Sequence, residues 1–121
     1  MSNINVILKE AMTIDGAIAV ALVDYNSGMA LGTAGDTATL DLDLAAAGNT
    51  DVVRSKIRTM ESLNLDDHIE DILITLGQGF HLIRLLQSSE GLFLYLVLAK
   101  GKANLAMARH QLTQLEKQIV V

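Results

Sequence analysis

The segment Leu92-Phe93-Leu94-Tyr95-Leu96-Val97-Leu98-Ala99 decides the fold, because it is apolar at every position. A strand with one solvated face alternates apolar and polar residues, so an unbroken apolar run requires cover on both faces. A second run of this kind, rich in Val, Ile and Ala, spans 17–23. We therefore predict two central strands in one sheet, and we expect them to be neighbours.

Three further segments have the three- and four-residue spacing of amphipathic helices. The first stripe is Ile4, Ile7, Leu8, Ala11 and Ile14; the middle one is Leu42, Ala46, Asn49, Val53, Ile57 and Met60; the last is Leu105, Ala108, Leu112, Leu115 and Ile119. Gly48, Asn49 and Thr50 disfavour the middle of the second helix, where the glycine alone costs about 1 kcal/mol. The sequence leaves open whether the helix breaks at that point.

Turn residues separate three more strands, predicted at 29–33, 69–76 and 80–86. The element order is then αββαβββα in a single α+β domain spanning 1–121. With the two apolar strands as neighbours, the predicted sheet is five-stranded and antiparallel in the order 2-1-5-4-3. Both faces need helices, so we expect the first and last helices on one face and the middle helix on the other.

Composition argues against several classes of partner. The net charge is −5 and the 9 Lys and Arg residues are scattered, whereas a nucleic-acid binder needs a basic footprint. Two Phe, two Tyr and no Trp leave little for base stacking. The apolar runs are far shorter than the roughly 20 residues of a membrane helix, so we expect no membrane insertion. The absence of Cys fits a cytoplasmic protein.

No pattern of reactive residues indicates an enzyme. Gly28, Gly32 and Gly35 are not followed by Gly-Lys-Ser/Thr, so they predict turns and an edge strand rather than a phosphate loop. His68, His81 and His110 lie on separate elements without metal-ligand spacing. The serines have no evident base beside them. We therefore predict no catalytic residue, no metal and no cofactor.

Some of the apolar surface is expected to contact another chain, since 50% of the residues are hydrophobic and the mean hydropathy is +0.36. The strand at 69–76 is an apolar edge that only Glu70 and Asp71 guard, at one end. The stripe of the middle helix fits either a core-facing side or a dimer contact. Leu44 and Val52 lie off that stripe, which favours cover on more than one side.

Three parts of the sequence together resemble the roadblock domain, a family named after a dynein light chain and shared by regulators of small Ras-like GTPases. The first runs over 16–24 into Ser27-Gly28, the second from 72–75 through 79–83, and the third covers 103–109. All three are packing and turn patterns in a particular order and spacing. The resemblance extends over nearly the whole chain.

The resemblance implies a profilin-like roadblock fold and a non-catalytic scaffold or regulator. Such a protein forms a homodimer through its third strand and middle helix, and it binds a small Ras-like GTPase or a motor-type partner. The edge strand would pair with its twin to make one ten-stranded sheet. On this basis we predict a dimer interface made of Leu42, Ala46, Val53, Ile57, Met60, Ile72, Leu73 and Ile74.

A different function class is also open at the sequence level. The protein could be a sensory module of the PAS or profilin-like type, in which the sheet and helices enclose a small apolar ligand. The few aromatic residues, and the lack of polar residues that converge on one place, count against this alternative. Contact with a GTPase encoded nearby separates the scaffold from the sensor.

Overall fold

The computed structural model describes residues 2–121, and its helices and strands follow the predicted order. They are α1 (Ile4–Ala11), β1 (Ala17–Asp24), β2 (Met29–Gly35), α2 (Leu42–Ser62), β3 (Asp71–Thr75), β4 (Gly79–Leu85), β5 (Leu92–Ala99) and α3 (Leu105–Glu116). The strands form one five-stranded sheet in the order β2-β1-β5-β4-β3. All neighbouring strands are antiparallel, which confirms the predicted topology.

The two apolar strands are central and buried on both faces, as their sequences predict. One face of the sheet packs against α1 and α3, where Leu22 and Leu96 meet Leu8 and Leu112. The other face packs against α2, where Val23 and Phe93 share a cluster with helix residues such as Val53. The predicted distribution of the three helices over the two faces is therefore confirmed.

Helix α2 is continuous, so the break that was open at Gly48 does not occur. Its sheet-facing side is held by buried residues that include Thr50, whose hydroxyl donates to the Ala46 carbonyl at 2.7 Å. Asp41 caps the start of the helix by accepting the Leu44 N–H at 3.1 Å. Burial of one side and a cap offset the roughly 1 kcal/mol that an interior glycine costs.

Strand β3 and helix α3 end at different residues from those predicted. Strand β3 is shorter than 69–76, because its pairing with β4 extends only from Asp71 to Thr75. Helix α3 ends at Glu116, so Ile119 lies beyond the helix while still packing against the cluster under α1 and α3. Within residues 2–121, no helix combines the length and apolar character needed to cross a bilayer.

Candidate interaction surface

Strand β3 is an edge of the sheet that is open for further pairing. It pairs with β4 alone, in a regular ladder from Asp71–Arg84 to Thr75–Phe80 without a register shift. The opposite edge, β2, is irregular: its register with β1 shifts at Leu22 and Val23. Because bulges disturb further strand addition, β3 is the better template of the two edges.

Helix α2 leaves the β3 end of its sheet face partly uncovered, since it packs mainly over β1 and β2. On that uncovered part, Ile72 and Ile74 of β3 and His81 of β4 are half-buried. A shallow groove of about 320 Å³ separates this part from the helix, and its lining includes Leu44 and Gly48. We refer to the β3 edge together with this groove as the β3 surface.

The groove contains one polar pair, formed by Tyr95 and His81. The Tyr95 hydroxyl lies 2.9 Å from His81 Nδ1, and the two rings meet edge to face with centroids 5.4 Å apart. Burial lowers the pKa of His81 and raises the pKa of Tyr95, the latter partly opposed by a hydrogen bond from Asn49. Both shifts favour the uncharged forms, so the pair itself adds no charge to the groove, whose lining also includes Asp41.

Two ion pairs tie β3 and β4 to α3 on the other face of the sheet. Arg109 donates to both carboxylate oxygens of Asp71, at 2.9 and 3.2 Å. Arg84 Nε donates to Glu116 Oε1 at 2.7 Å in a nearly buried pair. Asp71 is thus engaged within the protomer, and Glu70 is the exposed charge left at the start of the edge.

The structure separates the predicted interface residues into two groups. Leu42, Ala46 and Val53 are buried under α2 with exposures of 3%, 0% and 0%, so they belong to the core of the protomer and present no surface. The other five, which are Ile57, Met60, Ile72, Leu73 and Ile74, are half-buried. For those five the interface role stays a prediction.

Within the five, only the β3 residues lie on the β3 surface. Ile72 packs partly against the cluster under α2, and Leu73 against the cluster under α1 and α3. Ile74 belongs to neither cluster, which leaves it the most available of the three. Ile57 and Met60 instead line a separate cavity at the far end of α2.

Sequence reasoning missed the polar pair in the groove. The sequence indicates no partner for His81, because Tyr95 is 14 residues away and on another strand. A signal was present, since His81 alternates with Ile83 and Leu85 and therefore faces α2 as they do. Of the exposed large apolar residues of α2, Leu44 is the most open, at 71% exposure, and the sequence already places it off the core stripe.

Residues 2–121 bring no group of three His, Asp or Glu side chains together in a way that could hold a metal ion. In the same residues every buried side-chain nitrogen and oxygen has a hydrogen-bond partner. Arg84, Glu116, His81 and Tyr95 are therefore accounted for by one another and by the backbone.

Comparison by sequence finds no match among family models or among curated proteins. Comparison by structure does find matches. Myxococcus xanthus MglB superposes with a TM-score of 0.76 over 98% of this chain and 90% of the other, at 17% identity. A Roadblock/LC7 domain from Streptomyces avermitilis gives a TM-score of 0.80 over 93% and 90%, at 11% identity.

A further structure, described as MglB with a tetrameric arrangement, gives a TM-score of 0.68 at 15% identity. It covers 96% of this chain and 89% of the other. At these identities the likeness concerns the fold. The resemblance of this chain to the roadblock domain is confirmed at that level.

Proposed function

We propose that this protein is a non-catalytic, homodimeric scaffold or regulator that binds a small Ras-like GTPase or a motor-type partner in the cytoplasm. The observation that carries the dimer is the open β3 edge with its half-buried Ile72, Leu73 and Ile74. An apolar, regular edge strand aggregates unless something pairs with it. A second copy supplies an identical strand and closes the contact by twofold symmetry.

The groove beside β3 supports the same arrangement. A strand pair of five residues is a small contact, and stable interfaces bury roughly 1,200–2,000 Å² in total. The uncovered sheet face and the outer side of α2, with Leu44 and Val52 at 71% and 40% exposure, provide additional apolar area next to the edge. A dimer using both would join two sheets into one of ten strands.

The GTPase partner rests on the roadblock resemblance, since the fold is shared with MglB and with a Roadblock/LC7 domain. One of the MglB structures is tetrameric by its own description, so copies of that protein associate on this fold. The lack of cysteine fits the reducing cytoplasm. A scaffold role fits a surface built from apolar contacts rather than from reactive groups.

The dimer is tested by placing a charge on each edge in turn. Ile74→Lys should halve the mass measured by light scattering or make the protein insoluble, because the ammonium group would be buried in the strand pair. Leu31→Lys, on the bulged β2 edge, is the matched control and should leave the mass unchanged. An unchanged mass and solubility for Ile74→Lys would show that β3 is not the contact.

The partner is tested with a GTPase encoded beside this protein, loaded with GDP or with a non-hydrolysable GTP analogue. Binding in either state, measured by biolayer interferometry, supports the scaffold. No binding, together with a rise in melting temperature on small-molecule screening, would favour the sensory alternative. The two outcomes are distinguishable because they use different ligands.

A further inference from the structure

A second concave surface lies at the C-terminal end of α2, away from β3. It is a cavity of about 470 Å³ between the end of α2, the loop that follows it and the β1–β2 and β4–β5 turns. We call it the α2-end cavity; its lining is Tyr25, Ile57, Met60, Glu61, Leu65, Asp67, His68, Ile69, Leu85, Leu86, Gln87 and Glu90. Its size falls in the ordinary range of binding pockets.

The wall of the cavity is held in place by the way the helix ends. The Leu65 N–H donates to the Met60 carbonyl and the Asn64 N–H to the Glu61 carbonyl, both at 3.0 Å, with Asn64 in the left-handed region at φ 55°. This is the Schellman arrangement, in which the flanking apolar residues usually meet. On the opposite wall, Gln87 Nε2 donates to the Leu85 carbonyl at 2.9 Å. The cavity is therefore preformed.

The chemistry of the lining selects a cation. Glu61, Asp67 and Glu90 stand at the cavity, and its lining contains no Lys or Arg. Among residues 2–121 no Lys or Arg forms an ion pair with these carboxylates; Asp67 has only His68, at 3.7 Å. The last turn of α2 also has no basic residue to complement its negative dipole end.

An aromatic ring adds to the same preference. Tyr25 lines the cavity and is stacked on Phe93 with ring centroids 6.3 Å apart, which fixes its orientation. The face of a phenol ring attracts ammonium and guanidinium groups. Carboxylates, a helix C-terminus and a tyrosine ring thus line one cavity together with the apolar residues Ile57 and Leu85.

The apolar surface continues beyond the cavity. Leu65 of its lining and Leu63 outside it, on either side of Asn64, are 51% and 61% exposed. A small cation would leave both uncovered, whereas a polypeptide segment would cover them. We propose that the α2-end cavity docks a partner-protein segment in which an arginine lies beside a large aliphatic residue. The site lies within one protomer and contains no β3 residue, so it does not depend on the β3 strand pairing, although its lining shares Ile57 and Met60 with the predicted dimer interface.

The probe is an acetylated and amidated peptide, Leu-Arg-Leu-Arg-Leu, titrated into ¹⁵N-labelled protein. Its control replaces both arginines by citrulline, which has the same shape and no charge. The arginine peptide should shift the amide signals around the cavity in a saturable way and bind at least tenfold more tightly than the citrulline peptide. Octylammonium chloride, titrated separately, should bind more weakly than the arginine peptide.

Charge-removing variants locate the binding site. Glu61→Gln and Glu90→Gln should each weaken arginine-peptide binding by about two- to fivefold, the range expected for exposed ion pairs. Glu10→Gln on α1 makes the same change in net charge far from the cavity lining and should leave binding unchanged. Thermal melts check that all three variants are folded.

Four results would overturn the proposal. If the citrulline peptide binds as tightly as the arginine peptide, the cavity does not recognise a cation. If Glu10→Gln weakens binding as much as Glu61→Gln and Glu90→Gln do, the effect comes from the net charge of the protein and not from this cavity. Octylammonium binding as tight as the peptide would assign the cavity to a small cation. Peptide binding that appears only once Ile74→Lys has produced monomer would show that a second copy occupies the cavity.

Discussion

The Tyr95 hydroxyl and His81 Nδ1 lie 2.9 Å apart, and they join β5 to β4 in the groove that α2 leaves open. Tyr95 is buried and His81 half-buried, with the apolar side chains of Ile74 and Val97 at the cross-strand positions beside His81. A protonated imidazole is disfavoured there, which is why the pKa of His81 is lowered. The pair therefore makes stability sensitive to acid.

The first prediction concerns this pH dependence. A histidine whose pKa is lower in the folded state takes up its proton more readily on unfolding, so its stabilising contribution is present above about pH 6.5 and lost as the pH falls. The urea midpoint should therefore be lower at pH 5 than at pH 7.5. His81→Gln should reduce this difference.

His110→Gln is the control for that experiment, because His110 is exposed on α3. It should leave the acid dependence of the urea midpoint as it is in the parent protein. If His110→Gln and His81→Gln change the acid dependence equally, the groove pair is not its source.

Tyr95 affects stability at alkaline pH. Its raised pKa predicts a loss of stability as the pH rises through about 10.

The second prediction concerns the buried ion pair. Glu116 is 3% exposed, and its carboxylate accepts from Arg84 Nε at 2.7 Å and from the Gln87 N–H at 2.8 Å. Glu116→Ala leaves the guanidinium group without its partner and should lower the free energy of unfolding by about 3 kcal/mol. Chemical denaturation measures this difference.

The double variant Arg84→Met with Glu116→Leu should recover most of the lost stability, because it removes both charges while keeping apolar volume. Asp71→Ala removes the more exposed ion pair with Arg109 and should cost about 1 kcal/mol. If Asp71→Ala lowers the free energy of unfolding as much as Glu116→Ala does, burial does not determine how much each ion pair contributes to stability.

The third prediction compares two glycines. A Cβ added at Gly48 on α2 meets nothing within 4 Å, so Gly48→Ala should stabilise the protomer by about 0.5–1 kcal/mol through helix propensity. A Cβ at Gly79 would lie 2.8 Å from the Leu98 carbonyl oxygen, which is fixed in the sheet. Gly79→Ala should destabilise by about 1–3 kcal/mol.

Unfolding of the two alanine variants in urea, at equal protein concentration, provides the comparison. Because Gly48 also lines the groove of the β3 surface, the dissociation constant of the dimer is measured separately for Gly48→Ala. Equal and opposite effects on folding and association would leave the apparent midpoint unchanged, and this second measurement separates them. A stabilising Gly79→Ala would contradict the close contact with Leu98.

The fourth prediction fixes the register of the proposed strand pair. The chain has no cysteine, so single-cysteine variants at Ile72, Leu73 and Ile74 give an unambiguous cross-link. In a twofold antiparallel pair one residue lies opposite its own copy at a Cα distance of about 4.5–5.5 Å, which suits a disulfide. One of the three variants should form a covalent dimer much faster than the others, as seen on a non-reducing gel.

Leu31→Cys on β2 is the control for the cross-linking experiment and should stay monomeric on the same gel. If Leu31→Cys alone cross-links rapidly, the dimer contact is at the β2 edge and not at β3. Equal, slow cross-linking at all four positions would indicate random collision rather than strand pairing.

The sequence by itself determined the architecture. The unbroken apolar runs at 17–23 and 92–99 require central strands, and the three- and four-residue periods define one buried side on each helix. With these constraints and short turns, the order 2-1-5-4-3 and the placement of the helices follow. Local pattern suffices here because burial of a strand or helix face is encoded within the element itself.

Only the tertiary structure decided which apolar residues remain available. Leu42, Ala46 and Val53 have the same character as Ile57 and Met60, yet the first three are covered by the sheet and the other two line a cavity. The pairs Arg84–Glu116 and His81–Tyr95 join residues 32 and 14 positions apart. Such contacts depend on where separate elements end and cross, and no periodicity within one segment carries that information.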